Sequence, residues 1–209
     1  MTDGVVQIST GGRGFIVGSR KRFVVTASHC LPRLPAPDPG AYLAQRTFQA
    51  LLGPLGASCD VWAECVYVDP VADLAVLAAP DAQHFASEAK NYELLAAQRT
   101  PLRVAALPLE RTGKAAMPEA AEWQGPGRLF SLEGQWFECR LYATRRALWI
   151  GDKAQAFAGG MSGSPIADAD GAAVGALCTT AANPILVQHL PRWLLDEIGA
   201  PLRRDETGA

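Results

Sequence analysis

The stretch that decides the fold is residues 158–166, which read Ala-Gly-Gly-Met-Ser-Gly-Ser-Pro-Ile and place Ser162 among glycines. Glycine adopts backbone conformations that other residues avoid, so the chain can turn sharply here and direct N–H groups at a developing oxyanion. A serine hydroxyl is a weak nucleophile near neutral pH and needs a base to remove its proton. The stretch therefore predicts an activated serine on a tight turn.

Two segments upstream carry the polar groups that such a serine needs. Residues 23–27 form an apolar, β-prone run that leads directly to His29, and residues 74–77 form a second apolar run that follows Asp73. An imidazole can take the hydroxyl proton, and a buried carboxylate can hold that imidazole in the required tautomer. We predict that His29, Asp73 and Ser162 are the catalytic residues.

Other residues compete for each of these roles. Asp69 and Asp60 are alternative acids, but neither opens an apolar run. Ser164 is an alternative nucleophile, although a structural role fits it better. His84 and His189 have no comparable context, and we interpret both as surface or helix residues.

Three short blocks carry a resemblance to a known family. Thr-Ala-Ser-His-Cys at 26–30, Asp-Leu-Ala-Val-Leu at 73–77 and Gly-Met-Ser-Gly-Ser-Pro at 160–165 resemble the signature segments of trypsin-like (chymotrypsin-fold) serine peptidases. The likeness is greatest to bacterial members whose serine block reads Gly-x-Ser-Gly-x-Pro. The α/β-hydrolases fit poorly, because their serine block is Gly-x-Ser-x-Gly and their triad runs serine, acid, histidine.

This resemblance implies an all-β fold of two antiparallel six-stranded β-barrels, with the active site in the cleft between them and a C-terminal α-helix. Many short β-prone runs broken by Gly, Pro and polar turns agree with such a fold. We expect residues 1–107 to form a first barrel that carries the histidine and the aspartate. Residues 108–127, rich in Pro, Gly and Ala, should be the linker, and residues 128–209 should form the second barrel with the serine and the terminal helix.

The resemblance also implies an oxyanion hole formed by the backbone N–H groups of Gly160 and Ser162. The substrate should lie along the segment before the serine and along the strand after it. No carboxylate stands at position 156, so an apolar or small side chain is expected at the cleavage position. The predicted substrate-binding residues are Ala156, Gly159, Leu177, Cys178 and Thr179.

Met161 departs from the pattern of family members that are activated by cleavage of an N-terminal segment. Those relatives carry an aspartate at this position, which pairs with the new N-terminus. A methionine thioether cannot form that ion pair. We therefore expect an enzyme that is active as made or is controlled by a regulatory protein partner or effector.

Composition excludes several other classes of function. The chain is 49% hydrophobic and 19% charged, as in ordinary globular proteins, and its net charge of −2 argues against nucleic-acid binding. The longest weakly polar run, at about 172–187, is too short to span a membrane. No secretion signal is visible at the N-terminus, so a cytoplasmic protein is expected.

Five cysteines make an odd number, and they bear on the cellular compartment. In secreted relatives, the cysteine beside the catalytic histidine pairs with one on the preceding strand. Here residues 14–18 hold no cysteine, so Cys30 lacks that partner and a reducing compartment is favoured. The sequence leaves open whether Cys59 and Cys65 form a disulfide bridge. Their spacing matches no common zinc pattern, and neither a metal nor a cofactor is expected.

These observations predict a serine endopeptidase that acts on protein or peptide substrates through an acyl-enzyme. Two alternatives remain. The first is a protease-like binding or sensor module with a dormant triad, and the second is an esterase on the same scaffold.

Overall fold

The computed structural model describes residues 4–35, 43–107, 121, 123–144, 147–153, 156–178 and 185–199, and the strands within these ranges pair into two closed six-stranded barrels. All strand pairs within the barrels are antiparallel. The predicted all-β fold of two antiparallel six-stranded barrels is confirmed.

The first barrel closes in the order β1-β2-β3-β6-β5-β4. A 3₁₀ helix (Ser28–Cys30) follows β3 directly. The strands are β1 (Val5–Ile8), β2 (Arg13–Val17), β3 (Phe23–Ala27), β4 (Thr47–Pro54), β5 (Val61–Asp69) and β6 (Leu74–Ala78), and the α-helices are α1 (Leu43–Arg46) and α2 (Ala86–Ala97).

The second barrel closes in the order β10-β11-β12-β9-β8-β7. Its strands are β7 (Trp123–Phe130), β8 (Trp136–Ala143), β9 (Leu148–Gly151), β10 (Pro165–Asp168), β11 (Ala173–Leu177) and β12 (Ile185–His189), and they are followed by α3 (Arg192–Glu197).

The strands next to the cleft are apolar on both faces because each face meets a different core. Successive side chains of a strand point to opposite sides. Ile16 and Val24 fill the first barrel, whereas Phe15 and Val25 point outwards and pack with Phe130 of the second barrel. Each such burial contributes about 1.5–3 kcal/mol. The apolar contact between the barrels therefore joins them through a shared core.

The predicted C-terminal helix is present and packs on the first barrel. Leu194 and Leu195 of α3 are buried in the cluster between the barrels. Trp193 meets the edge of Phe23 at a ring-centroid distance of 6.3 Å. None of the described helices is both long and apolar enough to cross a lipid bilayer.

The connection between the barrels runs along both of them. Leu102 forms a parallel bridge with Val17 of the first barrel, and Val104 forms one with Ala173 of the second. Leu107 is already part of the second barrel's core. The chain therefore passes from one barrel to the other at about 102–104, before the predicted linker.

The second barrel also begins earlier in the sequence than position 128. Strand β7 starts at Trp123, so the end of the predicted linker 108–127 is paired as a strand, while residues 108–120 and 122 lie outside the described part. Pro126 pairs with Arg140 of β8, but β10 pairs with β7 only from Gly127 onwards. A strand residue with one unpaired side tolerates proline, which lacks a donor.

Candidate active site

The first barrel brings His29 and Asp73 together because β3 and β6 are neighbours. Ala27, the last residue of β3, pairs with Leu74, the first residue of β6. His29 follows that pair on the 3₁₀ helix, and Asp73 directly precedes it. Two side chains 44 positions apart in sequence are therefore placed side by side.

The contact between these side chains assigns the histidine tautomer. His29 Nδ1 lies 2.7 Å from Asp73 Oδ2. An ionised carboxylate only accepts hydrogen bonds, so Nδ1 carries the hydrogen and Nε2 of a neutral ring keeps its lone pair. The imidazole side chain is 51% exposed, which leaves it open to the cleft, whereas the carboxylate side chain is only 23% exposed. This arrangement can accept a proton at Nε2.

Asp73 is held by three further hydrogen bonds from the 3₁₀ helix, two to its carboxylate and one to its backbone carbonyl. Its Oδ1 accepts the N–H of His29 at 2.9 Å and the hydroxyl of Ser28 at 2.8 Å, and its backbone carbonyl accepts the N–H of Ser28 at 3.1 Å. Asp73 has φ +54°, a conformation that costs a non-glycine residue about 1–3 kcal/mol. These hydrogen bonds offset the strain and orient the acid towards His29.

Ser28 has no predicted role, although it lies inside the Thr-Ala-Ser-His-Cys block at 26–30. Its side chain is 4% exposed and donates to the predicted catalytic acid. A hydroxyl directly before the predicted base was the available signal. Its partner is set by the pairing of β3 with β6, which the local sequence does not encode.

We expect Ser28→Ala to lower kcat/KM about tenfold, because a hydrogen bond to a charged group contributes about 1.5–3 kcal/mol and Asp73 would keep its other partners. The matched control is Ser164→Ala, because Ser164 is also buried but its hydroxyl has no hydrogen-bond partner among the described residues. Steady-state kinetics on one peptide substrate compare the two variants. Equal rates for both would show that Ser28 does not support the acid.

Ser162 lies on the turn that precedes β10, against the first barrel. Its carbonyl accepts the N–H of Arg13 at 2.8 Å and lies 3.8 Å from the Sγ of Cys30, the residue after His29. The structure therefore places the turn that carries Ser162 beside Cys30, the residue that follows His29.

Gly163 is the residue that makes this close approach possible. Its φ is +80°, and a Cβ atom would overlap the carbonyl oxygen of Arg13 and lie 2.6 Å from Thr26 Oγ1. Its N–H donates to the carbonyl of Leu177 at 2.6 Å, which ties the turn to β11. Glycine is the one residue that fits this conformation and this space.

The predicted oxyanion donors are on the same turn. Gly160 has φ +88°, and the turn is closed by the N–H of Ser164, which donates to the carbonyl of Met161 at 2.9 Å. Within the described residues, the N–H groups of Gly160 and Ser162 donate to no protein acceptor. Both groups are therefore available to an external oxyanion.

Met161 anchors this turn by packing. Its side chain is 2% exposed and belongs to the core of the second barrel. Its Sδ also accepts the N–H of Ala158 at 3.3 Å. A flexible, polarisable thioether fills such an irregular space well. The turn is therefore held by apolar packing of the Met161 side chain, whereas zymogen-type relatives use an ion pair at this position.

The predicted substrate-binding residues differ in their exposure. Ala156 and Gly159 are exposed, whereas Leu177 and Cys178 are buried. The backbone of Leu177 bonds within the protein, since its N–H donates to the carbonyl of Ser164 at 2.9 Å and its carbonyl accepts the N–H of Gly163. Thr179 lies outside the described residues. Next to Ala156, the Nζ of Lys153 lies 4.0 Å from the centroid of the Phe157 ring.

The two remaining histidines play different parts. His84 is exposed, and its Nδ1 lies 3.2 Å from Oδ2 of Asp81, which agrees with its interpretation as a surface residue. The interpretation of His189 as a surface or helix residue is wrong, because it ends β12 and its Nε2–H donates to Thr144 O at 2.8 Å. Burial lowers the pKa of His189, which keeps it neutral. No cluster of metal-ligating side chains occurs among the described residues.

None of the five cysteines forms a disulfide, and Cys59 and Cys65 contact the carbonyls of Gln7 and Tyr67 instead of each other. Gly12 stands opposite Cys30, where a Cβ would overlap the sulfur. Burial raises the pKa of the Cys30 thiol to about 11. This thiol is therefore protonated at neutral pH although it is next to His29.

We expect iodoacetamide at pH 8 to leave activity intact, because the thiolate is the reactive form and Cys30 is 3% exposed. Cys59, which is partly exposed, should be the first to react. Peptide mapping by mass spectrometry, alongside an activity assay, checks both statements. Rapid inactivation that parallels alkylation of Cys30 would contradict them.

Comparison with known proteins identifies the family. The profile of the trypsin-like peptidase domain matches residues 12–175, most of the chain. The chain belongs to the trypsin-like peptidase family. It is accordingly a trypsin-like serine peptidase, a hydrolase. No curated protein sequence matches it significantly.

Three solved structures are similar to this chain at low sequence identity, and the first of them supports the fold assignment. A serine protease of human pathogenic astrovirus is 13% identical, with a TM-score of 0.51 over 92% of this chain and 93% of that one. The inactive form of the Rv3671c protease is 18% identical, with a TM-score of 0.49 over 95% and 90% of the two chains. The MamO protease domain of Magnetospirillum magneticum is 13% identical, with a TM-score of 0.44 over 94% and 95%.

Proposed function

We propose that this trypsin-like peptidase is an endopeptidase that hydrolyses peptide bonds of protein or peptide substrates through an acyl-enzyme. His29 is the general base, Asp73 orients it, and Ser162 is the nucleophile. The observation that carries the proposal is the 2.7 Å contact between His29 Nδ1 and Asp73 Oδ2, which leaves Nε2 to accept a proton beside the Ser162 turn.

The proposed reaction begins when the Ser162 hydroxyl attacks the carbonyl carbon of the scissile bond and its proton passes to His29 Nε2. The N–H groups of Gly160 and Ser162 stabilise the negative charge on the carbonyl oxygen. His29 then returns the proton to the leaving amine, the C–N bond breaks, and an acyl-enzyme remains. A water molecule, deprotonated by the same imidazole, hydrolyses this ester and releases Ser162.

A fluorophosphonate probe tests the nucleophile, because it phosphonylates an activated serine and not an ordinary one. We expect modification at Ser162, mapped by mass spectrometry, and no modification in His29→Ala. Failure of the folded chain to react would favour a protease-like module with a dormant triad. Labelling combined with cleavage of simple esters, but of no member of a peptide library, would favour an esterase.

Control by a regulatory protein partner, predicted from the sequence, stays a prediction. The buried side chain of Met161 supports a turn that is held without help. An enzyme that is active as made is distinguished from one that needs a partner by the rate at which the purified chain reacts with the probe, before and after addition of a cell extract. A large gain with extract would support a partner or effector.

We also propose that the enzyme works in the cytoplasm without a cofactor, and that neither nucleic acid nor a membrane is its partner. The support for a reducing compartment is that all five cysteines, including Cys30 beside His29, are unbridged.

A further inference from the structure

Arg13 is a buried arginine that links the two barrels. It begins β2 of the first barrel and is 6% exposed. Its guanidinium donates to the carbonyl of Ser131 and, at 2.7 Å, to the carbonyl of Leu132. The same group lies 5.4 Å from the centroid of the Phe130 ring. One side chain of the first barrel thus binds the turn between β7 and β8 of the second.

The backbone of Arg13 contacts the serine turn as well. Its N–H donates to the carbonyl of Ser162 at 2.8 Å. Its carbonyl accepts the hydroxyl of Thr26 at 2.6 Å and lies in the space that a side chain at Gly163 would need. Arg13 therefore touches the nucleophile with its backbone and the β7–β8 turn with its side chain.

Leu132, on the β7–β8 turn, lies beside Gly160, the glycine of the predicted oxyanion hole. A Cβ placed on Gly160 would lie 3.5 Å from Cδ2 of Leu132 and 3.2 Å from the carbonyl oxygen of Gly11. Leu132 is 39% exposed, so its position depends on the turn that carries it and not on a core. The carbonyl of Leu132 is one of the two that the guanidinium binds.

We propose that Arg13 is a positioning residue for the oxyanion hole: its guanidinium holds the β7–β8 turn so that Leu132 packs against Gly160 and keeps the Gly160 N–H directed at the substrate carbonyl. A planar guanidinium can bind two adjacent carbonyls at once, whereas a lysine ammonium offers no such fork. This proposal rests on the proposed function of Ser162. It assigns to Arg13 and Leu132 part of the support that zymogen-type relatives obtain from an ion pair.

The test compares Arg13→Met and Arg13→Lys with a matched control, Arg22→Met. The guanidinium of Arg22 also donates to two carbonyls, those of Ala96 and Arg99, but Arg22 precedes β3 and is bound there to the C-terminal end of α2, away from the Ser162 turn. The rate constant for fluorophosphonate labelling of Ser162 and the melting temperature are measured for each protein.

Both Arg13 variants should be labelled at least about tenfold more slowly than the wild-type chain, because complete loss of one oxyanion donor lowers kcat about 100- to 1000-fold. Arg22→Met should stay within about twofold of the wild-type rate, whatever its loss of stability.

A second variant keeps the test valid if the Arg13 variants fold poorly. Leu132→Ala removes an exposed side chain and should not unfold the protein, and Leu94→Ala on α2, where Leu94 is 49% exposed, is its control. Leu132→Ala should lower kcat for p-nitrophenyl acetate about tenfold with KM nearly unchanged, because the donor acts on the transition state. In the Arg13→Lys background it should add little, since residues that act in series are not additive.

Each result decides between distinct conclusions. If the wild-type chain is labelled at Ser162 and the Arg13 variants are labelled at the same rate, the inference is overturned and the proposed function stays intact. The inference is also overturned if labelling of the Arg13 variants slows only in proportion to their loss of melting temperature and Arg22→Met shows the same relation. It is overturned as well if the effects of Arg13→Lys and Leu132→Ala on kcat are fully additive. If the folded wild-type chain is not labelled at Ser162 at all, the proposed function fails and the inference fails with it.

Discussion

Replacing Ser162 with alanine should lower kcat by about 10⁶-fold, which corresponds to about 8 kcal/mol of transition-state stabilisation. The triad acts as a unit, so without the nucleophile the base and the acid have no proton transfer to assist. The fold should survive, because the bonds that hold the turn through the carbonyl of Ser162 do not involve its hydroxyl. Peptide hydrolysis by the purified variant is the measurement.

The control for this prediction is Ser164→Ala. Ser164 is two positions away, completely buried, and the alternative nucleophile in the sequence. It should retain nearly full activity. If Ser162→Ala kept its turnover and Ser164→Ala lost it, the nucleophile would have been assigned to the wrong serine.

Asp73→Asn should lower kcat by about 10⁴-fold with little change in structure. An asparagine can turn its NH₂ group towards His29 Nδ1, which then accepts, and the ring hydrogen moves to Nε2. An imidazole protonated at Nε2 cannot take the proton of Ser162. Kinetics at several pH values, together with thermal melting, check this result.

The matched control is Asp69→Asn, on the turn that leads to Asp73. The Oδ1 of Asp69 accepts the N–H groups of Val71 at 3.0 Å and Ala72 at 2.9 Å. An asparagine oxygen can still accept both bonds, so activity should change less than about twofold. A large loss in Asp69→Asn, with Asp73→Asn active, would reverse the assignment of the acid.

The strands and the three signature blocks could be predicted from the sequence because both are local patterns. An apolar run such as residues 23–27 indicates a buried strand wherever it lies, and the glycines around Ser162 indicate a tight turn. The prediction was poorest where composition and tertiary pairing disagree. Residues 123–127 contain two glycines and a proline, a composition that predicts a linker, but they pair with β8 as the start of β7, and Pro126 is tolerated because β10 pairs with β7 only from Gly127 onwards.

The supporting residues depended on contacts between distant parts of the chain. The hydroxyl of Ser28 reaches Asp73 only because Ala27 pairs with Leu74. The guanidinium of Arg13 meets the carbonyls of Ser131 and Leu132 only because the barrels pack together through Phe15, Val25 and Phe130. No local pattern encodes the partner of either side chain.

The sequence by itself therefore determined which strands form and which residue types can perform the chemistry, since both follow from neighbouring residues along the chain. Tertiary structure alone decided that His29 meets Asp73, that the turn of Ser162 reaches Cys30 beside them, and which side chains hold these segments in place. The physical reason is that strand register and barrel packing are set by burial summed over both cores, and each hydrogen bond at the site is a consequence of that arrangement.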